Sequence, residues 1–211
     1  MPYLYILLGI LGVAIVITII VTLAIEYTKR KIYKEVNTKE NLLRCEDILA
    51  KYIEDNGIAE IDYDAICEKV SLEIKEVSQF SKKLGGAEAV IDKNGQNGYI
   101  VHVADNLDEK KNRFAVAHEL GHVIMGDALP VGRKGHGIFI RSKEEQLRDY
   151  IAAAILLPFK EFNKLLNEAE YFTSNEKQKL KFIDDISQSR KVDRELVIKR
   201  IMECKIMAAD S

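Results

Sequence analysis

RFAVAHELGHVIMGD, residues 113–127, contains His118-Glu119-Leu120-Gly121-His122, and the rest of the chain is read outward from it. On a helix, positions i and i+4 lie on one face about one turn apart, so both imidazoles can face one metal ion. Zn2+ accepts such nitrogens at about 2.0–2.1 Å in a tetrahedral set. Glu119, beside the first histidine, is placed to reach a metal-bound water. Zinc lowers the pKa of that water toward about 7, and the carboxylate can take its proton during attack on a carbonyl. Phe114, Ala117, Gly121 and Ile124 supply an apolar helical stripe next to the histidine face. Gly121 costs about 1 kcal/mol relative to Ala in a helix interior, which implies a second element crossing closely over the metal. The residues therefore predict a zinc-dependent peptide hydrolase with His118 and His122 as metal ligands and Glu119 as its catalytic group. The competing reading is a pair of solvent-facing histidines on an amphipathic helix.

A catalytic zinc needs a third protein ligand and an open fourth position. Candidates are a histidine (His102 or His136) or a carboxylate downstream, Glu144 or Glu145. Glu145 is preferred because Asp149 follows it at i+4 on the same helical face. That spacing lets Glu145 bind zinc while Asp149 hydrogen-bonds a ligand histidine from behind. Ala152 and Leu156 continue the face and suit packing on the HExxH helix. His136, Arg133, Arg141 and Tyr150 are the candidates for stabilising an oxyanion, with nothing in the sequence to choose among them.

Upstream, residues 3–25 read YLYILLGILGVAIVITIIVTLAI, without a charge. A helix of this length rises roughly 34 Å, enough for about 30 Å of hydrocarbon. Lys29, Arg30, Lys31 and Lys34 follow at once and no basic residue precedes. The sequence-based expectation is a single-pass transmembrane helix over 3–25, N-terminus outside, with the catalytic domain cytoplasmic. A cleaved signal peptide would want a shorter apolar core and charges on the other side. A juxtamembrane linker over 26–41 then leads into a domain over 42–207.

Leading into that domain, Asn37 and Glu40 are spaced to cap a helix carrying Leu42, Leu43, Ile48, Leu49, Tyr52 and Ile53, which Gly57 ends. A short helix is expected over 63–69. Strands are expected over 87–91 and 99–103, joined by the turn-forming KNGQNG. Helices follow over about 111–125 and 143–157, the second stopping before Pro158, with a Gly- and Pro-containing loop over 126–142 between them. Two or three short helices complete the chain. The expected class is α+β: a helix-rich, zincin-like metallopeptidase domain with a small antiparallel sheet, preceded by one transmembrane helix.

Composition agrees with a folded chain, 47% hydrophobic and 30% charged. With 31 basic against 33 acidic side chains and a net charge of −2, no global positive field exists to hold nucleic acid, so no direct nucleic-acid binding is expected. Cys45, Cys67 and Cys204 lie far apart and read as separate core residues rather than a zinc cluster or disulfide framework.

Three segments resemble the ImmA/IrrE family of zinc metallopeptidases. RFAVAHELGHVIMGD is similar to the family's R-F-t-l-A-H-E-L-G-H block. EQLRDYIAAAILLP, residues 145–158, resembles its E-x-x-A-N-x-F-A-A-x-L-L-M-P block. DDISQSRKVDRELVIKRI, residues 184–201, resembles a closing helical segment. Arg148, Asp149 and Ile151 stand where the family usually has Ala, Asn and Phe, and a membrane anchor is not part of its usual plan. The resemblance implies His118, His122 and Glu145 as zinc ligands and Glu119 as general base and acid. Known members are regulated proteases that cut transcriptional repressors, so it also implies a protein substrate, with a repressor as one candidate. The competing function is a zinc-containing regulatory module that docks a partner without proteolysis.

Overall fold

A computed structural model describes residues 2–95, 98–126 and 142–208. The described elements are helices α1 (Pro2–Val36), α2 (Lys39–Asp55) and α3 (Tyr63–Lys69), then strands β1 (Leu72–Val77), β2 (Ala89–Asn94) and β3 (Gly98–Ala104). Helices α4 (Glu109–Ile124), α5 (Lys143–Leu156), α6 (Phe159–Glu168), α7 (Glu176–Ser189) and α8 (Arg194–Ala208) complete the order.

Helix starts follow local chemistry. Thr38 caps α2 by accepting from the Asn41 N–H, one residue beyond the Asn37 cap expected from sequence. Asp62 does the same for α3 and Asp108 for α4, each satisfying a backbone donor that the first turn leaves open. Gly57, at φ +64°, turns the chain out of α2. The remainder after Pro158 forms three helices.

The sheet has order β1-β3-β2. β2 and β3 pair antiparallel, Ile91 opposite Val101, whereas β1 runs parallel to β3, Leu72 opposite Tyr99. The expected purely antiparallel sheet is thus corrected to a mixed one. β1 was missed because LEIKEV lacks a buried alternating face: its four middle residues are exposed, and the charges of Glu73, Lys75 and Glu76 suit an edge. The inner face of the sheet places Ile91, Val101 and Val103 against α4. The outer face carries Asp92 and His102.

The transmembrane expectation for 3–25 is withdrawn. Among the described residues no helix is long and apolar enough to cross a membrane. The apolar stretch 3–25 forms the first part of α1. Beyond it α1 continues without a break through Glu26, Arg30, Lys31 and Lys34 to Val36. The stretch expected as a linker, 26–41, is helical as far as Val36, which is buried at the junction with α2. The single-pass localisation, its inside–outside topology and a membrane partner fall with the anchor.

The core centres on the contact between α4 and α5, the most extensive helix–helix contact among the described residues. Every residue from Tyr150 to Leu157 is buried; each large apolar side chain there contributes on the order of 1.5–3 kcal/mol. Gly121 is the point of closest approach. A Cβ built on it would meet the Arg148 carbonyl oxygen at 3.3 Å and the Arg148 Cβ at 3.4 Å. The close crossing inferred from Gly121 is therefore present, and its partner is α5.

The far end of α5 is fastened by a buried ionic cluster. Arg200, fully buried, donates through Nε to the Leu157 carbonyl at 2.9 Å, through Nη1 to Glu203 at 3.3 Å and through Nη2 to Glu46 at 2.7 Å. The Tyr150 hydroxyl also donates to Glu46, at 2.7 Å, and the guanidinium lies 5.0 Å from the Tyr150 ring centroid. Burial pushes the Glu203 carboxyl above its ordinary value. Cys45 and Cys204 pack in this core and Cys67 is half-buried; all three are free thiols.

Two outcomes follow from these contacts. Gly121→Val should lower stability by about 1–3 kcal/mol, because added methyls meet backbone that cannot yield; thermal unfolding measures it. Arg200→Met should cost about 3–5 kcal/mol in urea unfolding, since it strands buried carboxylates, and adding Glu203→Met should restore part of that loss.

Candidate metal centre

Two helices build the centre. On α4 the i, i+4 spacing brings the rings of His118 and His122 to 5.4 Å between centroids, tilted 72° to one another. Glu119 joins them: one ligand atom from each of His118, Glu119 and His122 lies within 4.8 Å of the others. On α5, Ser142 is the N-cap, its hydroxyl accepting from the Glu145 N–H at 3.2 Å. This sets the register. Glu144 faces solvent and Glu145 is buried.

α5 lies against α4 so that two carboxylates reach opposite sides of one ring. Asp149 Oδ1 is 2.8 Å from His118 Nδ1, and Glu145 Oε2 is 3.0 Å from His118 Nε2. The first contact fixes which nitrogen faces the cluster. Arg148, one position before Asp149, donates from Nη1 to the other oxygen of Glu145, Oε1, at 2.9 Å. Glu119 is held from the sheet: the Ile91 backbone N–H donates to its Oε2 at 3.2 Å.

Electrostatics follow from these contacts. Burial would lower the His118 pKa, but its hydrogen bonds to Asp149 and Glu145 outweigh that and hold it up at about 9. The hydrogen bond from His118 carries Glu145 down to about 2, against the opposing effect of burial.

The donor set fits zinc. Two imidazoles and a carboxylate are borderline ligands of the kind zinc prefers, and an acid behind one histidine is the usual orienting arrangement. Two ligands of a tetrahedral zinc stand about 3.4 Å apart; the His118–Glu145 pair, at 3.0 Å, is within a few tenths of this.

Of the other sequence candidates, His102 sits on the outer sheet face, 3.5 Å from Asp92, outside the His118 cluster. Tyr150 is buried with Glu46 and Met207. His136, Arg133 and Arg141 lie outside the described residues. Sequence reasoning missed two participants. Arg148 registered only as a departure from a family pattern, although its i+3 spacing from Glu145 was a usable signal. The Ile91 N–H is a backbone group and carries no side-chain signal at all.

The fold and this cluster define a helix-rich metallopeptidase-like domain. The family model described as Peptidase M78, IrrE N-terminal-like domain, matches residues 73–202, and the chain belongs to that family. No curated protein matches it. Among solved structures, a chain described as a Mycobacterium tuberculosis transcriptional regulator aligns with a TM-score of 0.46 at 17% identity, covering 84% of this chain and 51% of that one. This chain thus spans about half the length of that regulator.

A pH prediction follows for protein stripped of metal. The His118 contribution to stability is fully present below its ordinary 6.5 and is lost as pH rises through about 9. The Glu145 contribution is present above its ordinary 4.5 and is lost as pH falls toward about 2. The melting temperature of the stripped chain should therefore be highest between these ordinary values and decline on both sides. Zinc affinity should instead climb with pH toward about 9, because binding releases the His118 proton.

Proposed function

We propose that this chain is a zinc-dependent metallopeptidase acting on a protein substrate. His118, His122 and Glu145 are its metal ligands, Glu119 its general base and acid, and Asp149 the group that orients His118. Residues 42–207 form the metallopeptidase domain of this reading. The observation that carries it is the position of His118, gripped at Nδ1 by Asp149 and facing Glu145 through Nε2, one helical turn from His122. Two solvent-facing histidines would have no reason to be enclosed by acids from another helix.

When bound, zinc supplies Lewis acidity and makes water nucleophilic near neutral pH. Glu119 removes the proton from the attacking water and delivers it to the leaving amine. The Ile91 N–H keeps the Glu119 carboxylate oriented for that exchange. Asp149 keeps His118 in the tautomer whose Nε2 lone pair faces the cluster. Membership of a peptidase family supports the reaction class. A repressor as substrate rests on the family resemblance alone.

Glu119→Gln tests the reading. The variant should retain about one zinc per chain and lose at least a hundredfold in peptide-bond hydrolysis, the scale of a general acid–base contribution. His122→Ala and Glu145→Ala should lose the zinc itself. Undiminished cleavage by Glu119→Gln would remove Glu119 from the catalytic role, and partner regulation kept without any cleavage would mean that the chain works by docking. Stoichiometric zinc in Glu145→Ala would move the third ligand elsewhere.

A further inference from the structure

Arg148 has no role in the proposed chemistry, yet it is one of the few charged side chains buried at the site, at 8% exposure. Its backbone carbonyl and Cβ rest on Gly121, so its root is fixed to the turn of α4 between the two histidines. Its guanidinium pairs with Oε1 of Glu145 while Oε2 of the same carboxylate lies toward His118. The two carboxylate oxygens are thereby assigned to different partners. The pair is enclosed, with 10% and 11% side-chain exposure, where water and salt screen it little.

This division bears on how the carboxylate meets a metal. A catalytic zinc has three protein ligands and an open position. A carboxylate that closes on the ion through both oxygens adds a further ligand atom and crowds that position, and a planar guanidinium engaging one oxygen opposes the closure. We propose that Arg148 is a positioning residue: it engages Oε1 of Glu145, so that Glu145 meets the metal through Oε2 and the fourth position stays available to water and substrate. The inference rests on the reading of Glu145 as the third ligand. It assigns this chain a device at a position where the family resemblance led to an alanine.

Cobalt substitution tests it without recourse to activity, because the visible bands of Co2+ are most intense in four-coordinate sites and weaken when a fifth ligand atom joins. The full chain is stripped of metal and titrated with cobalt as wild type, Arg148→Met, Arg148→Lys and Glu145→Ala. Arg148→Met keeps an aliphatic stem over Gly121 and should take up about one cobalt per chain with a clear loss of band intensity, as Oε1 joins the ion. Arg148→Lys retains a cationic donor and should keep most of the wild-type spectrum. Arg148→Leu makes the same comparison should the Met variant not fold. A folded Arg148→Met or Arg148→Leu with the wild-type spectrum overturns the positioning role and leaves the peptidase reading intact. A wild-type chain that takes up no cobalt, or a Glu145→Ala spectrum identical to wild type, overturns the ligand assignment and this inference with it.

Discussion

The approach of α4 and α5 at Gly121 sets the distance on which the arrangement around His118 depends. Packed helices usually lie about 8–10 Å apart, according to the side chains between them. At Gly121 nothing stands between the α4 backbone and Arg148 of α5, so the helices meet closely. Only then can side chains as short as those of Asp149 and Glu145 bracket one imidazole, at 2.8 Å and 3.0 Å. The buried run from Tyr150 to Leu157 holds the helices together, and the glycine sets how near they come. Loss of about 1 kcal/mol of helix propensity at residue 121 is offset by the contact it permits.

α5 is secured by charge along its whole length. Lys143 in its first turn pairs with Glu35 near the end of α1. Its middle carries Glu145, Arg148 and Asp149, and the carbonyl of its C-cap residue, Leu157, accepts from Arg200 of α8. Isolated buried charges cost several kcal/mol each, so such groups persist only where partners satisfy them. Here each carboxylate at His118 has a donor at normal hydrogen-bond length. A helix held in this way cannot slide or rotate without breaking several contacts together, which is the rigidity a metal-binding constellation needs.

Much of this was legible in the residues because the relevant information is local. The HExxH spacing, the Gly121 signal and the Glu145–Asp149 period all depend on helical geometry within two turns, and the helices themselves start and stop at caps the sequence displays. What escaped was nonlocal or unmarked. β1 is an exposed edge strand whose parallel partner lies more than twenty residues on, so no alternation announced it. The Ile91 contact to Glu119 is made by a backbone N–H. The apolar run at the N-terminus is part of a longer helix that continues into charged sequence as far as Val36, a continuity that composition and charge flanks do not reveal. Glu144 and Glu145 could be separated only by the Ser142 cap, which fixes the register of α5.

The parts of the site are far apart along the chain. His118 lies 27 residues from Glu145 and 31 from Asp149, and Ile91 precedes Glu119 by 28. A chain whose core has not closed has the histidine pair of α4 without the carboxylates of α5, and the Glu119 side chain without the strand that orients it. Closing the core and completing the site are one event. Any chemistry that depends on the completed set is therefore withheld from nascent or partly unfolded molecules.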